Sequence, residues 1–263
     1  MENRTKHYIQ KFVVRKLVGK KLYSKIKFLK IYYKAKFRSN YEISDILLDV
    51  LKKDDIFIDV GANLGQYIIR IKNKFKSDVR IYAFEPVLNN YYILSKYILK
   101  KCNNVTIENY AISDIDGTDV LYIPLIDDIE IDTQASIDYE NRKKYYNEFS
   151  RQEINIVTID NYVKENDILK IDYLKVDTEG NDERVIKGAM ESISKFKPVI
   201  FCEDMESKET LDNLFELGFR RYLKNKDTKL VSFTEAKSNE VFKDLVIFIP
   251  LEKIHIFNKY IVK

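Results

Sequence analysis

Five acids in this chain follow short apolar runs and stand where strands would end: Asp59, Glu85, Asp177, Glu179 and Glu203. Any one alone reads as a solvated or capping carboxylate. Ligands of open α/β sheets sit beyond the carboxyl ends of the strands, so acids at four such ends describe one common rim. The first belongs to Phe57-Ile58-Asp59-Val60-Gly61-Ala62-Asn63-Leu64-Gly65, a short strand and a turn with two glycines four residues apart. Glycine serves where backbone must approach a ligand or take a positive φ. The helical pattern that follows offers unpaired N–H groups and a positive dipole end. Glu85 comes twenty residues beyond Gly65, at the tip of Arg80-Ile81-Tyr82-Ala83-Phe84-Glu85-Pro86. This pairing suits a nucleoside whose polar tail meets the turn and whose ribose hydroxyls donate to Glu85. A charge-assisted contact of that kind contributes about 1.5–3 kcal/mol when desolvated. Asp59 either shapes the turn or meets a cationic part of the ligand.

Other chemistries find less support. The turn lacks the three-glycine pattern of nicotinamide and flavin binders and the Gly-Lys-Ser/Thr of a phosphate loop. The two histidines, His7 and His255, lie outside the motifs and read as surface or packing residues. Cys102 and Cys202 stand far apart and read as small buried hydrophobes in a reducing compartment. Asp177, Glu203 and Asp204 offer oxygen ligands to a hard cation, but no bidentate pattern accompanies them, and no metal is expected to be required.

The elements that must position these residues alternate. Strand Ile56–Val60 precedes helix Leu64–Lys74, and strand Val79–Phe84 precedes helix Val87–Lys101. Strand Val105–Asn109 runs into Tyr110-Ala111-Ile112-Ser113-Asp114, with strands Val120–Ile123 and Ile154–Ile159 beyond it. Residues 125–152 show much charge and little period, and read as an irregular excursion able to serve as a lid or acceptor-specificity element. Its Tyr139, Tyr145 and Tyr146 could stack on a sugar or pack onto the core. A helix Asp160–Asn166 leads to Tyr173-Leu174-Lys175-Val176-Asp177-Thr178-Glu179-Gly180, followed by helix Asp182–Ser194 and strand Pro198–Cys202. Helix Lys208–Leu217 stops at Gly218, and strands Arg220–Leu223 and Leu245–Ile249 can pair antiparallel. The pattern is an α/β fold with a mostly parallel sheet and an antiparallel edge.

With these residues in view, the chain resembles the FkbM family of S-adenosylmethionine-dependent methyltransferases over roughly residues 54–250. The carriers are the Asp59–Gly65 turn, Ala83-Phe84-Glu85-Pro86, Asn109–Asp114, Val157-Thr158-Ile159-Asp160, and Lys175–Gly180 with Val185-Ile186-Lys187-Gly188-Ala189. Thr178 stands where the family more often has an aliphatic residue. The resemblance implies a class I, Rossmann-like methyltransferase fold, S-adenosylmethionine as cofactor, and methyl transfer to a hydroxyl of a sugar or secondary metabolite. It also implies that Asp59, Gly61, Asn63 and Gly65 line the methionine end of the cofactor, and that Glu85 holds the ribose beside Pro86. By the same resemblance Ala111 and Ser113 lie near the adenine, while Asp177 and Glu179 face the methyl and the acceptor. Those two acids are the candidates for a general base; the alternative is that they orient the cofactor's ammonium or bind acceptor without taking a proton.

Charge divides the chain. Residues 1–40 carry 13 Lys and Arg against Glu2, a net +12, so the total of +4 leaves −8 on the other 223 residues. We read 1–40 as a basic, amphipathic helical extension and 41–263 as the methyltransferase domain. In the extension Ile9, Val13, Leu17, Leu22, Ile26, Leu29, Tyr33 and Phe37 recur at near-helical spacing. Such a helix either caps the core with a solvated charged face or attaches to acidic lipid, a lipid-linked substrate or nucleic acid. No signal peptide is visible and no segment reaches the ~18 apolar residues of a membrane span, so the reading is cytoplasmic, with peripheral membrane association open. The expected partner is a small-molecule or glycan acceptor. Rival readings are an RNA methyltransferase using the basic arm and a cofactor-binding protein without turnover.

Overall fold

The computed structural model describes residues 25–37, 42–76, 78–99, 102–203, 207–225, 229–232 and 241–262, together with Gly19, Leu22, Tyr23 and Met205. The expected helical stretch before Gly19, His7 and Asp204 all lie outside the described residues. Helix α1 (25–37) is followed by α2 (Glu42–Val50), β1 (Ile56–Val60), α3 (Gln66–Phe75), β2 (Arg80–Phe84), α4 (Leu88–Tyr97) and β3 (Val105–Glu108). Next come β4 (Tyr110–Ile112), β5 (Gly117–Ile126), β6 (Ile129–Glu130), α5 (Tyr139–Arg142), β7 (Glu148–Val157), α6 (Ile159–Glu165) and β8 (Tyr173–Val176). The chain continues through α7 (Asp182–Lys187), α8 (Met190–Phe196), β9 (Val199–Cys202), α9 (Lys208–Glu216), β10 (Phe219–Asn225), β11 (Leu230–Ser232) and β12 (Val241–Pro250).

Among the described residues eight strands form the main sheet, in the order β11-β10-β12-β9-β8-β1-β2-β3. The run β3-β2-β1-β8-β9 is parallel. The C-terminal strand β12 inserts antiparallel between β9 and β10, and β11 forms an antiparallel edge. This is the class I methyltransferase architecture expected from the sequence. Central strands such as Phe57-Ile58-Asp59-Val60 are almost wholly apolar because both faces of the sheet are covered. Phe57, Ile81, Ala83 and Phe201 pack on one face beneath α2, α3 and α4. Ile58, Phe84, Val176 and Ile200 pack on the other beneath the helices carrying Tyr162, Val185, Ile193 and Leu214.

Two expectations need correcting. Much of the 125–152 excursion is regular structure. Strand β5 extends to Ile126, β7 begins at Glu148, and together with β4 and β6 they build a second, four-stranded sheet. Glu148, Arg151 and Glu153 in β7 are exposed, so charge on the solvent side masks the strand period. The helix expected over Asp182–Ser194 is also broken in two at Gly188–Ala189. A side chain at Gly188 would meet the carbonyl oxygen of Ser113 at 2.1 Å, so the backbones of the two segments come together there.

Candidate active site

From β1 the sheet grows outward through β2 and β3, then resumes on the opposite side with β8. That reversal leaves a crevice above the carboxyl ends of β1 and β8. A cleft of about 290 Å³ opens there, lined by the turn after β1, the segment after β2, and the loop after β8. Gly61 has φ 75° and donates its N–H to the Phe84 carbonyl at 3.0 Å. A Cβ on it would lie 2.0 Å from the Asp177 carbonyl oxygen. The first glycine of the turn is therefore demanded by the close approach of β8's end as well as by its φ.

Glu85 sits across from this turn and is 3 % exposed. Its Oε2 accepts the Asn63 backbone N–H at 2.6 Å, and its Oε1 accepts the Val87 N–H at 3.0 Å. Burial pushes its carboxyl up to about 8; the donors from Val87, Asn63 and Asn90 oppose this and Asp132 adds to it. A buried acid held by backbone donors, with lone pairs remaining, is poised to accept hydroxyl donors. Pro86 beside it is pinned through its carbonyl, which accepts from Asn109 Nδ2 at 2.9 Å and Gln152 Nε2 at 2.8 Å.

Beneath the turn lies a buried cation. Lys175 faces Asp59 in register, and its Nζ is 3.2 Å from the Asp59 carboxylate and 3.5 Å from that of Asp177. The ammonium also donates to the carbonyls of Val60 at 3.1 Å and Gly61 at 2.9 Å. Burial alone would lower it, but Asp59 and then Asp177 hold it above the ordinary lysine range. Burial pushes Asp59 upward against the pull of Lys175. The Tyr67 ring stands 5.4 Å from the ammonium, and burial raises the Tyr67 hydroxyl to about 12.

The loop after β8 is clasped from the second sheet's side. Arg142 of α5 donates to the Glu179 carbonyl and lies 3.4 Å from the Glu179 carboxylate. Gln134 accepts from Arg142 Nη1 at 3.0 Å. Glu179 itself has φ 57°, an uncommon conformation that this clasp stabilises. At the loop's far end Asp182 accepts from Thr178 N at 2.8 Å and from Glu203 N at 3.0 Å. Burial, then Asp182, Asp177 and Glu179, push Glu203 up to about 7.

Of the residues expected at the site, Gly61, Asn63, Glu85, Pro86, Ala111, Asp177 and Glu179 line the cleft. Three do not. Asp59 is wholly buried beneath it in the pair with Lys175. Gly65 caps α3 at φ 76°, where a Cβ would meet the Leu94 and Ile98 side chains at 2.7 and 2.8 Å. Ser113 is fully buried, donates its hydroxyl to Asp114 at 3.1 Å, and gives its N–H to the Val157 carbonyl at 3.3 Å. Two residues at the site, Lys175 and Arg142, are not among those expected there from the sequence. A lysine in an otherwise apolar strand, two residues before an acid, was the available signal for the first; nothing local marks the second. Tyr139 packs on Tyr122 and Phe149 at ring distances of 4.7 and 5.4 Å, and Tyr145 is exposed. Cys102 and Cys202 are both free thiols, the latter buried.

The cleft's polar groups suit S-adenosylmethionine. Asn63 Oδ1 is buried with no partner among the described residues, an acceptor suited to an ammonium donor. Gly65 leaves the first turn of α3 without a side-chain cap, next to the same wall. Among the described residues no group of three His, Cys, Asp or Glu is arranged to hold a metal ion.

A sequence profile of the methyltransferase FkbM domain matches residues 59–228. The chain is 24% identical over 163 residues to the hexuronic acid methyltransferase AglP of Haloferax volcanii, an alignment covering 62% of each protein. Among solved structures it is similar to a methyltransferase FkbM from Methylobacillus flagellatus, with 16% identity and a TM-score of 0.40, covering 82% of this chain and 47% of that one. It is also similar to the fibrillarin of Aeropyrum pernix in complex with S-adenosyl-L-methionine, with 10% identity and a TM-score of 0.40, covering 78% and 72%. The chain thus spans less than two thirds of the length of the first two relatives.

Proposed function

The chain belongs to the FkbM methyltransferase family, and from that premise we propose that it methylates a hydroxyl of a sugar, a glycan or a secondary metabolite. The methyl donor in this proposal is S-adenosylmethionine. The observation that carries the reading is Glu85, a buried acid facing the cleft opposite the Gly61–Asn63 turn. A ribose diol would donate to Glu85, the amino-acid end would lie along Gly61 and Asn63, and Ala111 would border the adenine. The name of the archaeal relative, a hexuronic acid methyltransferase, favours a sugar acceptor.

S-adenosylmethionine supplies a methyl already activated by its sulfonium. The protein's work is then alignment and proton removal. Val60, Phe84 and Ile112 give the cleft apolar walls that limit water. Holding the acceptor in line can supply about 7–11 kcal/mol of the barrier. Lys175 fixes Asp177 from below, and Asp177 takes the hydroxyl proton as the acceptor oxygen is methylated. Arg142 keeps the Glu179 loop closed, so that the Glu179 carboxylate can hold a second hydroxyl of the same acceptor. No metal is required in this scheme, and activity should survive a chelator; restoration of lost activity by magnesium would overturn that part.

The test is transfer of radiolabelled methyl from S-adenosylmethionine into an extracted glycan pool, with sugar analysis of the product. Label in an O-methyl sugar supports the proposal. Label in RNA alone, or cofactor binding with no transfer to any pool, contradicts it.

A further inference from the structure

Leu22, Ile26, Leu29, Tyr33 and Phe37, which recur at near-helical spacing, point outward. In α1, Phe28 and Ala35 are buried, Phe28 stacks on Tyr97 of α4 at 4.8 Å, and Ile31 and Tyr32 pack partly against the core. The opposite face carries Ile26, Leu29, Tyr33 and Phe37, which are 42, 36, 56 and 69 % exposed. At about 100° per residue these four fall within an arc of about 80°. Leu22, one turn earlier, is 47 % exposed as well. Residues 25–37 contain five lysines and no acid. Lys25 and Lys36 flank the stripe on one side and Lys30 on the other, all three exposed. The helix is therefore apolar on two faces, and among the described residues only one of them meets the core.

We infer that this outer face docks the protein onto an anionic lipid bilayer. An exposed, contiguous apolar stripe on a helix already anchored to its domain has no folding role to explain it. Bordered by lysines, it matches a helix lying in the headgroup plane, apolar ridge toward the acyl chains and ammonium groups among phosphates. Charge alone would equally suit nucleic acid, but the exposed aliphatic side chains of Ile26 and Leu29 have nothing to gain from a phosphate backbone. Lys27, on the flank of the same helix, pairs with Asp132, which lines the cleft. The docking helix is thus tied to the rim of the active site. A glycan carried on a lipid would then be presented where the cleft opens; that consequence rests on the function proposed above, whereas the docking does not.

Removing residues 1–40 would also strip Phe28 and Lys27 from the fold, so point substitutions on the exposed face are the better test. The full chain should sediment with vesicles of phosphatidylcholine and phosphatidylglycerol and not with phosphatidylcholine alone. Leu29→Glu with Phe37→Glu, and separately Lys25→Glu with Lys30→Glu, should each weaken that binding at least tenfold. Both variants should keep the affinity for S-adenosylhomocysteine measured by calorimetry, which shows that the domain is folded. The inference is overturned if the wild-type chain ignores the acidic vesicles at low salt, or if the apolar variant binds them as well as wild type. It is equally overturned if the stripe proves to bind RNA oligomers in preference to vesicles. None of these results depends on identifying a methyl acceptor.

Discussion

Lys175 lies beside Asp59 in the register of two parallel strands, and its ammonium joins that acid at 3.2 Å to the Gly61 carbonyl at 2.9 Å. One cation thus ties the floor of the glycine turn to the strand that delivers Asp177. Replacing Lys175 by Met leaves Asp59 buried without a counter-charge. Loss of one partner of a buried pair costs about 3–5 kcal/mol, and urea unfolding should show a loss of that size. Asp59→Asn combined with Lys175→Met should recover part of it. Simple additivity of the two single losses would mean that the residues do not act as a pair.

The two glycines of the turn should respond differently. Gly61→Ala drives a Cβ to 2.0 Å from backbone oxygen and should abolish cofactor binding along with stability. Gly65→Ala meets the ends of the Leu94 and Ile98 side chains, which can move. It retains the positive-φ strain, about 1–2 kcal/mol, and should leave measurable affinity for S-adenosylhomocysteine. Equal effects of the two substitutions would contradict this assignment of their roles.

Glu85 should link pH to stability and, as the proposed ribose ligand, to cofactor binding. Its carboxyl is raised from the ordinary 4.5 to about 8 in the folded protein, so between those values the native state holds a proton that the unfolded state has released. Stability from this group accordingly falls as pH rises through that window. Glu85→Gln removes the cost, so its melting temperature should exceed that of wild type at pH 8.5 but not at pH 4.5. Cofactor affinity of the wild type should rise towards pH 8, because the ionised form accepts the diol, and binding at pH 7 should release protons. Calorimetry in buffers of different ionisation enthalpy measures this; no proton release would contradict it.

Asp177→Asn keeps the hydrogen-bonding shape of the loop and removes the proposed base. Turnover should fall by about 10²–10⁴ with cofactor affinity changed less than about threefold. If affinity falls with turnover, Asp177 orients the cofactor's ammonium instead.

Much of the site was legible because its residues follow one another locally. The Asp59–Gly65 turn and the Glu85 strand end are contiguous motifs, and the cleft places Gly61, Asn63 and Glu85 together. What stayed hidden depends on distance along the chain. Arg142 reaches Glu179 across 37 positions, from a segment whose charge conceals its strands. The two-faced helix α1 illustrates a different limit. Its Ile26-Leu29-Tyr33-Phe37 spacing reveals an apolar face, but Phe28 and Ala35 supply another, and only packing decides which one is inward. Asp59 shows a third: an acid at a strand end reads alike whether it meets a ligand or a buried lysine.

The most direct measurement is a crystal structure of the protein soaked with S-adenosylhomocysteine. Both ribose hydroxyls should lie within hydrogen-bond distance, about 2.7 Å, of the Glu85 carboxylate, with the amino-acid end against Gly61 and Asn63. Density for the ligand elsewhere, or a ribose turned away from Glu85, would contradict this.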